Sequence, residues 1–237
     1  GISYQLKQPV TTLITERLPA TMELAFAASL FALLLGIPMG VYTGIHRHAF
    51  TSKLFLTLSL VGISLPTFLI GILLIYLFAV KLQWFPGIST VYDGMPFMER
   101  IQAVVLPAAS LTLVVLAHMM RMTRAAMIAS LGSDFVRTAR ANGLKWRTIV
   151  VTYALRNALL PIITTLGMVF SYMLGANVLV ERVFAWPGIG SYALDALIGL
   201  DYAPVQGFML AMAAIFVAIN LIVDIAYSIA DPRTGLF

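Results

Sequence analysis

Five stretches of this chain contain no Asp, Glu, Lys or Arg: Leu24 to Ile45, Leu54 to Val80, Ile101 to Met120, Asn157 to Val180 and Tyr202 to Val223. Each reaches the length of about 20 residues that a helix needs to cross a bilayer. Backbone groups cannot go unpaired in hydrocarbon, so apolar runs of this length are predicted to be helices. The expected fold is all-α, a polytopic membrane protein with five spans in this chain. A composition that is 60% hydrophobic and only 11% charged excludes an ordinary soluble domain.

The polar connections set the expected orientation. Arg47 and Lys53 follow the first stretch with no acid, and the link after the third is strongly basic. Between Arg121 and Arg156 lie seven of the fifteen Lys and Arg residues and one acid, Asp134. By the positive-inside rule both links face the cytoplasm. The other two links are balanced or acidic, with Lys81, Asp93, Glu99 and Arg100 in one and Glu181, Arg182, Asp195 and Asp201 in the other, and are expected outside. The C-terminus is then cytoplasmic, and residues 1–19 form an external N-terminal segment. Such a polar head has no apolar span before it to carry it across. A sixth span is therefore expected upstream in the complete protein, a genuine five-span protein with a translocated tail being the other reading. The sequence pI of about 9.6 is explained by retention of basic residues at the cytoplasmic face, so nucleic acid is not expected as a partner. Cysteine is absent, which excludes thiolate metal sites and cysteine nucleophiles.

Gly36, Gly40 and Gly44, and again Gly167, Ser171 and Gly175, repeat every four residues and put small side chains on one helix face. Close helix packing is the first expectation, a substrate-lining face the second. Pro38, Pro66 and Pro161 each remove a backbone donor and predict local kinks. Glu23, His118 and Asp224 are the notable ionisable residues in or near the spans. Asp224, with Asn220 on the same face, is expected to pair with Arg121, Arg124 or Arg156, and His118 to be a packed, hydrogen-bonded histidine. His46 and His48 are too few for a metal site, and none is expected. Ser171, Tyr172 and Asn177 are pathway-lining candidates by polarity alone.

Inside the basic stretch, Ser133 and Asp134 can cap a helix predicted over Phe135 to Asn142, which Gly143 can close in a left-handed conformation. Eight residues are too few to be helical alone in water, so the helix needs a surface. Phe135, Val136 and Ala139 offer a small apolar face and Arg137 and Arg140 a cationic one, a pattern suited to the groove of a cytoplasmic partner. Trp146, Ile149, Val150 and Tyr153 follow at helical spacing, with Trp146 placed as an interfacial anchor.

The run Asp134-Phe-Val-Arg-Thr-Ala-Arg-Ala-Asn-Gly-Leu144, followed by Ala154-Leu-Arg-Asn-Ala-Leu-Leu-Pro161, resembles the cytoplasmic signature of ABC-transporter permease subunits, most closely the dipeptide, oligopeptide and nickel importer branch. Val183-Phe-Ala-Trp-Pro-Gly-Ile-Gly190, then Asp201-Tyr202 with Gln206, is similar to an external segment of that branch. Leu106-Pro-Ala108, read as opening the third span, and the ending Asn220-Leu-Ile-Val-Asp224 with Asp231-Pro232 also resemble that branch. The resemblance covers about Pro19 to Pro232. It implies a type I ABC importer transmembrane domain over 20–232, a coupling region at 121–156, a tail at 233–237, and an absent first helix of six. It also implies that the short helix docks a nucleotide-binding subunit through Asp134, Phe135, Arg137, Thr138, Ala139, Arg140 and Gly143. The wider signature begins Glu-Ala-Ala where this chain has Arg137, Thr138 and Ala139, so an acid-specific contact does not carry over. Pro204 stands one residue later than is usual in the branch.

No G-x-x-x-x-G-K-[ST] phosphate loop occurs, so the chain is expected to bind no cofactor and to leave ATP and Mg to partner ATPase subunits. The other implied partners are a second homologous permease, an external solute-binding protein and the inner-membrane bilayer. Peptides lead among the implied substrates, with nickel chelates, glutathione and oligosaccharides in the same branch. Two rival classes make different demands. An intramembrane enzyme needs paired acids, a histidine cluster or an activated nucleophile at membrane depth. A secondary transporter or channel working without an ATPase favours more intramembrane charge or an internal repeat.

Overall fold

A computed structural model describes residues 1–89, 91, 92 and 94–230. Asp93, Asp231-Pro232 and the tail 233–237 lie outside the described residues. The elements are α1 (Val10–Ile45), α2 (Phe50–Ser64), α3 (Thr67–Leu74) with a π-helical continuation (Ile75–Lys81), α4 (Phe97–Leu131) and α5 (Asp134–Ala141). They continue with α6 (Trp146–Thr148), a π-helical segment (Ile149–Leu155), α7 (Arg156–Phe184), α8 (Ile189–Ile198) and α9 (Tyr202–Ala230). Among the described residues the only β pairing is an isolated bridge between Ile2 and Pro9.

Among the described residues, four helical runs are long and apolar enough to cross a membrane: Val10–Ile45, Phe97–Leu131, Trp146–Phe184 and Tyr202–Ile229. A fifth exists if α2 and α3 with its continuation count as one broken span. The apolar stretches thus mark the spans but not the helix ends. The first helix begins at Val10 rather than Leu24, and Pro107 sits ten residues inside α4 instead of opening it. The kink expected at Pro66 is a complete break. Pro66 takes an extended conformation (φ −60°, ψ 139°), which ends α2 and restarts the chain as α3. The helices continue through Pro38 and Pro161.

The chain divides into two compact units. The first comprises Gly1–Leu30, Leu65–Leu113 and Phe170–Ile219. Its core includes Leu13, Leu24, Leu111, Met173, Phe184, Trp186 and Ile189, all at most 2% exposed. Gly71 lets α3 approach α7 closely, since a Cβ there would lie 2.9 Å from the Phe184 ring. Glu23 is bound bidentately by Arg100, with Nε donating to Oε1 at 2.8 Å and Nη2 to Oε2 at 2.5 Å. Arg182 pairs with Asp195 at 2.7 Å.

The second unit comprises Phe31–Ser64, Val114–Val169 and the chain from Asn220. Here the glycine stripe packs as expected. Cβ atoms on Gly36 and Gly44 would lie 2.9 and 2.8 Å from the Cβ atoms of Met119 and Met127, and one on Gly40 would collide with Thr123. Three glycines four apart on α1 therefore admit three side chains four apart on α4. A Cβ on Gly167 would similarly collide with Val223 of α9. Its expected companion Gly175, in the first unit, faces open space, so the second stripe is a contact only at Gly167.

Candidate functional site

The short helix forms where the spacing predicts, one residue earlier, as Asp134–Ala141. Ser133 has N-cap geometry (φ −75°, ψ 158°), yet makes no side-chain cap. Its hydroxyl donates backwards to the Ser130 carbonyl at 2.5 Å, while Asp134 meets Arg137 at 3.3 Å. The other end is closed by a Schellman motif. Gly143 lies at φ +73°, its N–H donates to the Arg140 carbonyl at 3.0 Å, and the Leu144 N–H donates to the Ala139 carbonyl at 3.2 Å. A Cβ on Gly143 would touch nothing within 4 Å, so the glycine is required by backbone conformation and not by space.

The apolar face expected to meet a partner is divided. Val136 and Ala139 are 1% and 4% exposed and pack on Ile149, with Tyr153 alongside. They fasten α5 to the start of the helical run that becomes α7. What remains outward is Asp134, Phe135, Arg137, Thr138, Ala141 and Asn142. Arg140 is turned aside, its guanidinium 4.6 Å from the Trp146 ring centroid. Ala139, expected on the docking face, thus belongs to internal packing, and Ala139→Glu would disturb the fold. The segment after Trp146 is π-helical instead of α-helical over Ile149–Leu155. Ile149 and Val150 are buried there, and Trp146 stays 44% exposed.

Other expected contacts are absent or different. Among the described residues no ion pair joins Asp224 to Arg121, Arg124 or Arg156; Asp224 is exposed, and Arg124 Nε donates instead to the Thr43 carbonyl at 3.3 Å. His118 is exposed rather than packed and bonds its own helix, Nδ1 lying 3.0 Å from the Val114 carbonyl. The pathway candidates do not share a surface. Tyr172 is 61% exposed, Ser171 Oγ is buried without a hydrogen-bond partner, and Asn177 is fully buried, with Nδ2 3.5 Å from the Thr21 carbonyl.

In the first unit, the segment Val183 to Gly190 folds around a residue that sequence reasoning missed as a centre. Glu181, one turn from the end of α7, is fully buried. Its Oε1 accepts from Thr21 Oγ1 at 2.6 Å and its Oε2 from the Ser191 N–H at 2.8 Å; the Gly190 N–H bonds the same carboxyl group. Thr21 Oγ1 in turn accepts from the Ile189 N–H at 2.9 Å. Cβ atoms on Gly188 and Gly190 would press on this carboxyl group, which accounts for both glycines. Trp186 is 1% exposed and donates from Nε1 to the Ala20 carbonyl at 2.9 Å. A usable signal was present: Glu181 is the acid nearest the end of an uncharged stretch, directly before a turn rich in glycine.

Asp201 closes the same unit. Ser3 Oγ donates to its Oδ2 at 2.6 Å and the Gln5 N–H at 3.1 Å. Burial opposes ionisation, but these bonds and one from the Tyr4 N–H outweigh it and hold the Asp201 carboxyl below its ordinary value. Gln206 lines a cavity of about 390 Å³ with Val10, Ile14, Gly207 and Leu210.

Residues 36–236 match the family described as binding-protein-dependent transport system inner membrane component. The chain belongs to that family. It is a multi-pass inner-membrane permease. A protein of Brucella abortus (strain 2308) named as a peptide transport system permease is 40% identical over 237 residues, covering 98% of this permease and 74% of the relative. The dipeptide transport system permease protein of Haemophilus influenzae is 36% identical over 257 residues, covering 98% and 76%. The fold is shared with the MetNI methionine ABC transporter in an inward-facing conformation (TM-score 0.76, 18% identity, covering 94% of this chain and 98% of that one).

Proposed function

We propose that this permease imports peptides, taking them from an external solute-binding protein, and that the outward face of α5 docks a separate ATPase subunit. The substrate class is supported by the relatives, which are named for peptide and dipeptide transport. The docking role is supported by one observation above all. The helix is fixed from behind by Val136 and Ala139, while Asp134, Phe135, Arg137, Thr138 and Ala141 remain outward.

That arrangement suits a lever. A force on the outer face of α5 passes through Val136 and Ala139 to Ile149 and Tyr153, which belong to the helical run leading into α7. Docking alone would shift no equilibrium. ATP on the partner has to favour one membrane conformation over the other, and a helix packed on a spanning helix converts that preference into movement. ATP and Mg are held by the partner, a second permease completes the pathway, and the Arg47 and α5 connections face the cytoplasm along with the C-terminus. Asp134 to Ala141, rather than a Glu-Ala-Ala contact, provides the recognition.

The test is to purify the assembled importer and reconstitute it in liposomes. The ATPase subunit should co-purify, and uptake of a peptide delivered by the binding protein should require ATP. Uptake that persists with no ATPase subunit present would overturn the proposal.

A further inference from the structure

In the second unit the end of α1 and the link after it, the end of α4, Arg140 of α5 and Trp146 of α6 line an open cavity of about 280 Å³. It is lined by Gly44, Ile45, Arg47, Leu131, Arg140 and Trp146, among others, and no acid is among its lining residues. The unit's described residues include nine Lys and Arg against two acids, Asp134 and Asp224. Asp134 is engaged by Arg137. Arg47 Nε donates to His48 Nε2 at 3.1 Å, and Arg140 stacks on Trp146. Neither guanidinium meets a carboxylate among the described residues, although each presents further N–H donors in a fixed fork.

We propose that this cavity binds a phosphate-bearing anion, and that the headgroup of an anionic phospholipid supplies it. Planar guanidinium groups match phosphate oxygens bidentately, and basic pockets between spanning helices on the cytoplasmic side hold anionic headgroups. Trp146, partly exposed beside Arg140, suits the headgroup layer. The stacking of Arg140 on Trp146 keeps its charge at the cavity instead of on the outward face of α5. The assignment to a lipid rests on the cytoplasmic placement of the Arg47 connection proposed above.

The experiment uses the assembled importer, extracted from membranes containing phosphatidylglycerol and phosphatidylcholine, with bound lipid counted by native mass spectrometry. The original assembly should retain phosphatidylglycerol selectively. Arg47→Gln should weaken retention about ten-fold, the order expected for losing one charge-assisted hydrogen bond, and Arg47→Lys should restore part of it. Gly132→Leu gives a second route, because Gly132 also lines the cavity and has room for side-chain atoms, the nearest contacts to a Cβ being 3.5 Å away. If phosphatidylglycerol retention is unchanged but inorganic phosphate stabilises the original assembly and not Arg47→Gln, the anion site stands with free phosphate as its source. Unchanged lipid retention and unchanged phosphate response would overturn it. So would loss of the ATPase subunit with both unchanged, which would make the cavity a partner contact. Labelling of His48→Cys from each side of the membrane, read against the original assembly as the blank, tests the orientation separately. Labelling from the outside would sink the cytoplasmic placement while leaving the anion measurement intact.

Discussion

Two connections stand out by their motifs, Ser133 to Leu144 and Phe184 to Ser191, and they use their residues in opposite ways. The first buries Val136 and Ala139, turns Arg140 onto Trp146 and keeps most of the rest exposed. The second buries Phe184, Trp186, Gly188, Ile189 and Gly190 beside the fully buried Glu181, leaving Ala185 and Pro187 exposed, and its glycines make room for the Glu181 carboxyl group. Even their closures differ. Both end a helix with a Schellman motif, but α5 uses Gly143 whereas α7 uses Ala185 at φ 52°, with the Trp186 N–H donating to the Glu181 carbonyl at 2.8 Å. A left-handed non-glycine residue costs roughly 1–2 kcal/mol, which dense hydrogen bonding around the turn can offset. An isolated surface helix has no such reserve. A distinctive motif therefore marks a constraint, and exposure tells whether the constraint serves the chain itself or a partner.

The largest effect should come from Glu181→Ala. It leaves the Thr21 hydroxyl and the Ser191 N–H buried without their acceptor, at about 1–3 kcal/mol for each orphaned group. The thermal midpoint and the yield of folded permease should both fall. Glu181→Gln, which keeps an acceptor oxygen, should fall less. A stable Glu181→Ala permease would break the comparison from the inward side. Next comes Gly143→Val, with a cost of about 1–3 kcal/mol from forcing a β-branched residue to φ +73°. This loss should stay local to the end of α5, so membrane insertion is retained while ATPase association and ATP-dependent uptake decline. A global loss of folding would contradict it.

The smallest effect concerns Asp201. Its carboxyl is held below the ordinary value, so the stabilisation is fully present above the unfolded-state value and is lost as pH falls through the folded one. The stability gap between the original chain and Asp201→Asn should accordingly shrink on acidification. A gap that widened in acid would contradict the assigned hydrogen bonds.

Much of this was legible from charge and spacing. The uncharged stretches, Gly143 and the α1 glycine stripe follow from rules that act within one helix or one turn. What escaped prediction depends on neighbours distant in sequence. Glu181 needs Thr21, and the depth of Val136 needs Ile149, thirteen positions on. Ala185 and Leu200 adopt left-handed backbone, at φ 52° and 57°, with nothing in their side chains to announce it. The expected topology puts Asp224 at the depth of Arg121, Arg124 and Arg156, yet depth does not fix which face of a helix a residue occupies. The break at Pro66 also exceeded the expected kink, since the residue itself leaves helical geometry.

The docking face is tested most directly by Ala141→Glu combined with Phe135→Ala, both on the exposed side of α5. Surface changes of this kind should move stability by no more than about 0.5 kcal/mol. The measurement is the amount of ATPase subunit that co-purifies with the permease, read beside the permease's thermal midpoint. Loss of the ATPase subunit at an unchanged midpoint is the predicted result. Full retention of that subunit, with the midpoint likewise unchanged, would contradict the assignment of this face as the docking site.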